Sequence, residues 1–258
     1  MFRSCATRCS KEVIYKETNE TENVDLKFLK WPTKTVDKEG KTFKVTVRDE
    51  VESTIGETVK LFDTQLSDYM GHVGRINHQR DSWALLQKNL SSEDLLINAD
   101  WSENWNCKFT EEIQSMHFGA SHTQISLHTG MVKTQNFSET FCTVSENNDH
   151  GPKGVFAHLK PILQRYVTPA IKRVHFMTDG PTTQYRSGKM FKVVAKHISA
   201  IIPGVEEIIW NFSESGHGKS VSDGVGGTTK RTADSAVLLG IDITDAHTFV
   251  NVVSKRCP

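Results

Sequence analysis

The sequence has no long hydrophobic run. Its most apolar stretches, VEEIIWNF and SAVLLGI, fall far short of the roughly 20 residues that a helix needs to cross a bilayer, so no membrane partner is expected. Residues 1–10 carry no apolar secretory core either. Cysteine is sparse: Cys5, Cys9, Cys107, Cys142 and Cys257 are an odd set spread over the whole chain. Without an export signal, that usage points to a reduced, intracellular compartment and not to a disulfide framework. Cys5 and Cys9 have half of a zinc-site spacing, but no second Cys or His pair stands beside them, and ordinary thiols are the expectation. Net charge is missing as well, with 31 Lys+Arg against 31 Asp+Glu, which argues against a nonspecific coat for nucleic acid.

What is present describes a globular protein: 37% of the residues are apolar and 24% are charged. At 258 residues, the chain is long enough for one sizeable domain plus a smaller appendage, or for two small domains. The charge is uneven. Within residues 151–200, Lys153, Lys160, Arg165, Lys172, Arg173, Arg186, Lys189, Lys192 and Lys196 stand against a single acid, Asp179. Two readings are open, a surface that faces a polyanion or the solvated sides of two amphipathic helices.

Residues 1–45 are polar, with short apolar islands, and read as a loose arm. From Val51 through Ile55, Val59, Phe62, Leu66, Tyr69 or Met70, Val73 and Ile76 the apolar spacing of three and four predicts a long amphipathic helix, which makes 46–92 a helical region. Beyond residue 95 the pattern changes. LLINADW is a short buried strand, QISLHTGMV and SETFCTV alternate as sheet strands do, and GVFAHLKPILQRYV is a helix interrupted or kinked at Pro161. The strand RVHFM, the helix SGKMFKVVAKHISAII, the strand VEEIIWNF, a glycine-rich loop and a helix through KRTADSAVLLG complete the order.

Three aspartates, Asp100, Asp179 and Asp223, stand at the ends of these predicted strands or at the start of the helix after one. A carboxylate that follows an apolar strand sits at the sheet's carboxyl edge, where open α/β sheets bind ligands, so acids distant in sequence can converge. Phosphodiester cleavage needs an activated water on one side of phosphorus and a stabilised leaving alkoxide on the other. Two divalent ions about 4 Å apart serve both needs. Mg²⁺ (or Mn²⁺) takes oxygen ligands and keeps several waters, so two or three carboxylates suffice. Asp100 is expected to bridge the metals, with Asp179 as second ligand and Asp223 completing one coordination sphere. Each also has an ordinary explanation as a cap or turn residue. Glu214 and Asp234 compete for the third position; Asp223 is preferred because the DGVGG it opens lets backbone approach a phosphate, and because Lys230 and Arg231 follow on the same helix.

Other residues near the acids suit nucleic acid. Gln184 and Arg186, just beyond Asp179, are placed to bind a backbone or, with Tyr185, to stack on an unpaired base. His217, flanked by glycines, and Lys219 are placed to contact a phosphate, His217 alternatively being a surface loop residue. The loop SESGHGKS is not a nucleotide-hydrolase phosphate loop, since GxxxxGK(S/T) demands glycine where Ser213 stands. His117, His122 and His128 have no zinc spacing and read as structural, and Trp101 and Trp105 as packing residues.

The order of three strands, helix, strand, helix, strand and helix resembles that of ribonuclease H-like domains. In that family the first acid ends the first strand, the second follows the fourth, and the third lies on the helix after the fifth. The phrases DWSENW, EIQSMHFGASHTQISLHTG, TDGPTTQYR, GHGKS and DGVGGTTKR resemble a group of transposon-derived animal proteins of the DDE/D transposase type. The resemblance covers about residues 95–240. It implies an α/β fold with a mixed five-stranded sheet flanked by helices, a catalytic domain over 93–245 and a C-terminal tail over 246–258. It also implies metal-dependent cleavage or strand transfer on DNA, nuclear residence, and compatibility with a homo-oligomer. The alternative is a catalytically inactive nucleic-acid-binding or interaction protein on the same scaffold. An RNA or hybrid nuclease would use the same metal chemistry.

Overall fold

The protein is described here by a computed structural model, which covers residues 22–38, 40–114, 122–214, 216 and 221–256. It divides into two compact units, Met1–Asn77 and His78–Pro258. In the first unit, β1 (Asp25–Lys30) pairs antiparallel with β4 (Asp49–Thr54), and β2 (Thr33–Lys38) pairs antiparallel with β3 (Lys41–Thr46). Two short ribbons therefore occupy a stretch that composition alone predicts to be a loose arm. Alternation of Lys and Thr with Val and Phe, as in KTFKVT, is enough for a two-stranded pairing that buries little.

The long helix is α1 (Ile55–Lys88), which starts four residues later than the apolar spacing suggests because Val51 lies in β4. Its glycines leave it unbroken. Phe62, Tyr69 and Leu85 remain exposed on it.

The second unit is an α/β layer built on one mixed sheet of five strands: β5 (Asp94–Asn106), β6 (Gln124–Lys133), β7 (Ser138–Ser145), β8 (Arg173–Thr178) and β9 (Glu207–Phe212). Their order across the sheet is β7-β6-β5-β8-β9. Strands β5, β8 and β9 run parallel, while β6 is antiparallel to both β5 and β7. The helices are α2 (Pro152–Tyr166), α3 (Gly188–Val193), α4 (Val221–Leu238) and α5 (Ala246–Ser254). After α3 the chain winds on through a π-helical turn, Val194–Ile198, into Ser199–Ile201.

Two apolar clusters cover the two faces of the sheet. Leu95, Ile97 and Ala99 of β5 pack with Val155, Leu159 and Leu163 of α2 and with Met190 and Ile198. Trp105, Ile125 and Leu127 pack with Ala233 and Ala236 of α4 and with Phe249 of α5. The segment 246–258 is thus not simply a tail: Asp245 caps α5 by accepting from Thr248 N at 2.7 Å, and Phe249 is fully buried. Pro161 sits inside α2 without interrupting it. No described helix is long and apolar enough to cross a membrane.

Two glycines show how tightly the central strands are wrapped. A Cβ on Gly130 of β6 would lie 2.1 Å from the Asn98 carbonyl oxygen, and one on Gly226 of α4 would lie 2.4 Å from Ser102 Oγ, whereas one on Gly224 meets nothing within 4 Å among the described residues. Gly130→Ala is expected to destabilise the protein by about 1–3 kcal/mol through overpacking. Gly224→Ala is expected to stabilise it by about 0.5–1 kcal/mol, as for Gly→Ala inside any helix. Urea denaturation of both variants checks the pair, and equal behaviour would contradict the packing described.

Candidate functional site

Asp100 lies within β5, not at its end. The strand runs to Asn106 because it stays paired with β6 beyond the point where its ladder with β8 stops. The β5–β8 ladder ends at Asn98↔Met177, and both chains then advance two residues, to Asp100 and to Asp179. In a parallel ladder that register brings positions 100 and 179 side by side at the carboxyl edge. Asp223 comes to the same edge on the first turn of α4.

Buried polar contacts hold that turn in place. Ser222 Oγ donates to Asn98 Oδ1 at 3.1 Å, and Thr129 Oγ1 donates to the Ser222 carbonyl at 3.0 Å. Asn98 Nδ2 in turn donates to the Met177 carbonyl at 3.3 Å, so one side chain of β5 ties β8 and α4 together. The glycines of DGVGG are helical, and Gly226 serves the close approach of α4 to β5. That corrects the expectation that they admit a phosphate to the backbone.

The electrostatics follow from this placement. Burial, then the charge of Asp179, raises the Asp100 carboxyl from 3.8 to about 7; the Trp101 N–H, which donates to Oδ1 at 2.8 Å, opposes the rise and the charge of Asp223 adds to it. Burial raises Asp179 as well. Among the described residues nothing donates a hydrogen bond to its buried Oδ1. Asp94, six residues earlier on the same strand, shows the opposite case. Burial pushes it up, but Arg173 Nε at 2.7 Å, Ser91 Oγ at 2.6 Å, Ser91 N at 2.8 Å and His175 Nε2 at 3.2 Å outweigh that and hold it well below the usual carboxylate range. Of these two aspartates of β5, Asp94 is satisfied by the fold, whereas Asp100 is held above the usual carboxylate range.

Sequence inspection did not single out Tyr185 and His128 as a pair. The Tyr185 hydroxyl, wholly buried, lies 2.8 Å from His128 Nε2. Burial, and then the charges of Asp100 and Asp179, keep that phenol protonated. His128 is driven down to about 3, first by burial and then by His158 and His150, so it is neutral. Trp101 stands among these rings, stacked on His150 at 4.1 Å and edge-on to His158 at 4.8 Å. The local trace of this arrangement is His128, which with Ser126 and Thr129 is one of the buried polar residues of β6.

The remaining candidates are placed as follows. Asp234 accepts from Trp105 Nε1 at 3.0 Å and from Lys108 Nζ at 2.6 Å, a structural ion pair on α4. Glu214 N donates to Gln79 Oε1 at 2.8 Å just after β9. Gln184 and Arg186 lie in a turn closed on the Pro181 carbonyl, with the exposed Arg186 over the ring of Phe212 at 5.8 Å. Lys230 Nζ donates to the Glu103 carbonyl at 3.3 Å, and Arg231 is exposed. His217, Lys219, His117, Cys5, Cys9 and Cys257 lie outside the described residues. Of the nine cations in 151–200, Arg165, Lys172 and Arg173 are engaged with Glu139, Glu206 and Asp94. Among the described residues no three His, Cys, Asp or Glu side chains stand close enough together to form a ready metal cluster.

A carboxyl raised from 3.8 to about 7 binds a proton in the folded state that it releases when unfolded, so its contribution favours folding below about pH 4 and is lost as pH rises through about 7. The buried histidines act oppositely, losing stability as pH falls, so the informative quantity is a difference between proteins. In EDTA, Asp100→Asn is expected to gain thermal stability relative to wild type progressively between about pH 4 and pH 7 and to keep a constant advantage above. A difference that does not change with pH would rule out the raised carboxyl.

No curated protein matches the sequence. Among solved structures, the chain is similar to a chain in a cryo-EM structure of the simian T-cell lymphotropic virus intasome in complex with PP2A regulatory subunit B56 gamma, with a TM-score of 0.41 and 10% identity. That match covers 64% of this chain and 48% of the other, so the chain spans about half the length of that relative. A family described as a domain of unknown function, DUF8701, matches residues 79–258, and the chain belongs to that family.

Proposed function

We propose that the second unit is a ribonuclease H-like domain that cleaves or transfers phosphodiester bonds of DNA with the help of Mg²⁺ or Mn²⁺, as a transposase or a descendant of one. Counted from β5, the sheet order is third, second, first, fourth, fifth, with the second strand antiparallel. The observation that carries the reading is the β5–β8 register, which sets Asp100 beside Asp179 at one sheet edge, where Asp179 and Asp223 both oppose the ionisation of Asp100.

A hard dication fits the residues present. The donors are all oxygen, one of them, Asp179 Oδ1, is buried without a donor among the described residues, and the repulsion between the acids is relieved by positive charge. Asp100 and Asp179 would hold the ion, with Asp223 as the third ligand. When bound, such ions supply an activated water and stabilise the leaving oxygen. The chain's own contribution is positioning. The Trp101 N–H fixes one oxygen of Asp100, and the Asn98–Ser222–Thr129 contacts fix the turn that carries Asp223. Gln184, Arg186, His217, Lys219, Lys230 and Arg231 are proposed to hold the nucleic-acid backbone, and the nucleus is the proposed compartment.

The test is cleavage of labelled DNA in Mg²⁺ or Mn²⁺. Wild type is expected to cut, with Asp100→Asn and Asp179→Asn each slower by roughly 10²–10³-fold and with DNA affinity retained. Asp223→Asn is expected to exceed Glu214→Gln in effect, and Asp234→Asn to keep full cleavage. Binding without cutting by wild type would refute the enzymatic reading in favour of a binding protein on the same scaffold.

A further inference from the structure

Away from the acids, α4 presents a second polar face. Thr228, Arg231, Thr232 and Ser235 recur at spacings of three, one and three, which places them on one side of the helix, next to the buried stripe of Ser222, Gly226, Thr229, Ala233 and Ala236. Arg256, just past α5, joins them to line a shallow cavity of about 310 Å³. Every lining side chain is a hydrogen-bond donor, and none is acidic. Two guanidiniums and three hydroxyls around one concavity make a surface suited to the oxygens of a phosphate group.

The direction of Arg231 adds to this. Its guanidinium lies back along α4 beside Gly227, where a Cβ would stand 3.4 Å from Nη1, and Nη2 donates to Thr228 Oγ1 at 3.3 Å. Gly227 is four residues from Asp223, about 6 Å along the helix axis at 1.5 Å per residue. A strand whose scissile phosphate sat at the acid edge would advance about 3.4 Å along the duplex axis per nucleotide, so the next one or two phosphates fall within reach of Arg231.

We propose that this cavity is a phosphodiester-binding subsite, which takes the backbone of the nucleic acid one or two nucleotides from the acid edge. The proposal rests on the nucleic-acid reading above and adds Arg256, Thr228, Thr232 and Ser235 to it. The cation count predicts the salt dependence. Each arginine that neutralises a phosphate adds about 0.9 to the slope of log affinity against log salt on duplex DNA.

The experiment measures binding of labelled duplex DNA by fluorescence anisotropy in EDTA, from low to moderate salt, with the full chain. Arg231→Gln with Arg256→Gln is expected to weaken binding at low salt by at least tenfold and to reduce the slope by about 2, while Lys60→Gln with Lys88→Gln on α1 leaves the slope unchanged. Thr228→Val with Ser235→Ala, which alters no charge, is expected to weaken binding several-fold at constant slope, and it provides the readout should the arginine variant fold poorly. Millimolar inorganic phosphate is expected to leave the anisotropy signal in place. Unchanged DNA affinity and slope in the arginine variant overturn the proposal, as does inorganic phosphate occupying the cavity with no effect of the variants on DNA, which marks a site for free anions. If the arginine variant loses DNA while Asp100→Asn still cuts as wild type does, the catalytic reading fails and the subsite stands.

Discussion

The parallel register between β5 and β8 is the constraint from which the rest of the site follows. Because Asn98 stands opposite Met177, two further residues on each strand bring Asp100 and Asp179 to one edge. A slip of one residue would turn one carboxylate to the opposite face of the sheet, since side chains alternate with a period of two. The register is well protected. Leu95, Ile97 and Ala99 are buried on one face, Asn98 is committed on the other, and Asp94 anchors the start of the ladder to Arg173 and His175 on β8.

Two aspartates of the same strand therefore have opposite fates. Asp94, at the amino end, is surrounded by donors, so that its charge is satisfied by the fold. Asp100, at the carboxyl edge, has one backbone N–H and two acidic neighbours. Strand direction explains the difference: loops and helix starts gather at the carboxyl edge of a parallel sheet, and here they deliver Asp179 and Asp223 instead of cations. An unrelieved cluster of this kind costs stability above neutral pH.

Packing behind the edge consists of rings, not aliphatic side chains. Tyr185 meets His128, and Trp101 packs on His128, His150 and His158; burial lowers the three imidazoles and raises the phenol, so all stay neutral. Neutral rings do not compensate the carboxylates.

Much of the fold was legible in local pattern. Apolar alternation in QISLHTGMV, the buried run LLINA, the three-and-four spacing after Val51 and the order of elements from residue 93 onward each depend on neighbours in sequence, and each formed the type of element expected. Other features were not legible. The ribbons at 25–54 are too polar to announce themselves; the tail after 246 hides a helix anchored by the buried Phe249 with Ala246, Val252 and Val253 around it; and Pro161 is absorbed in α2. The glycines of DGVGG look like a loop, yet they are helical, and at Gly226 the Ser102 side chain of β5 lies closer than a Cβ would permit.

By itself, the amino-acid order determined the class of the fold and the sequence of its strands and helices, because these obey periodicities of two and 3.6 residues. Only the tertiary structure decided that Asp234 belongs to Trp105 and Lys108, that Tyr185 meets His128, and that Asp100 feels Asp179 and Asp223. Those contacts join residues from 57 to 129 positions apart, and their partners are chosen by strand register and helix docking, which no local window of sequence contains.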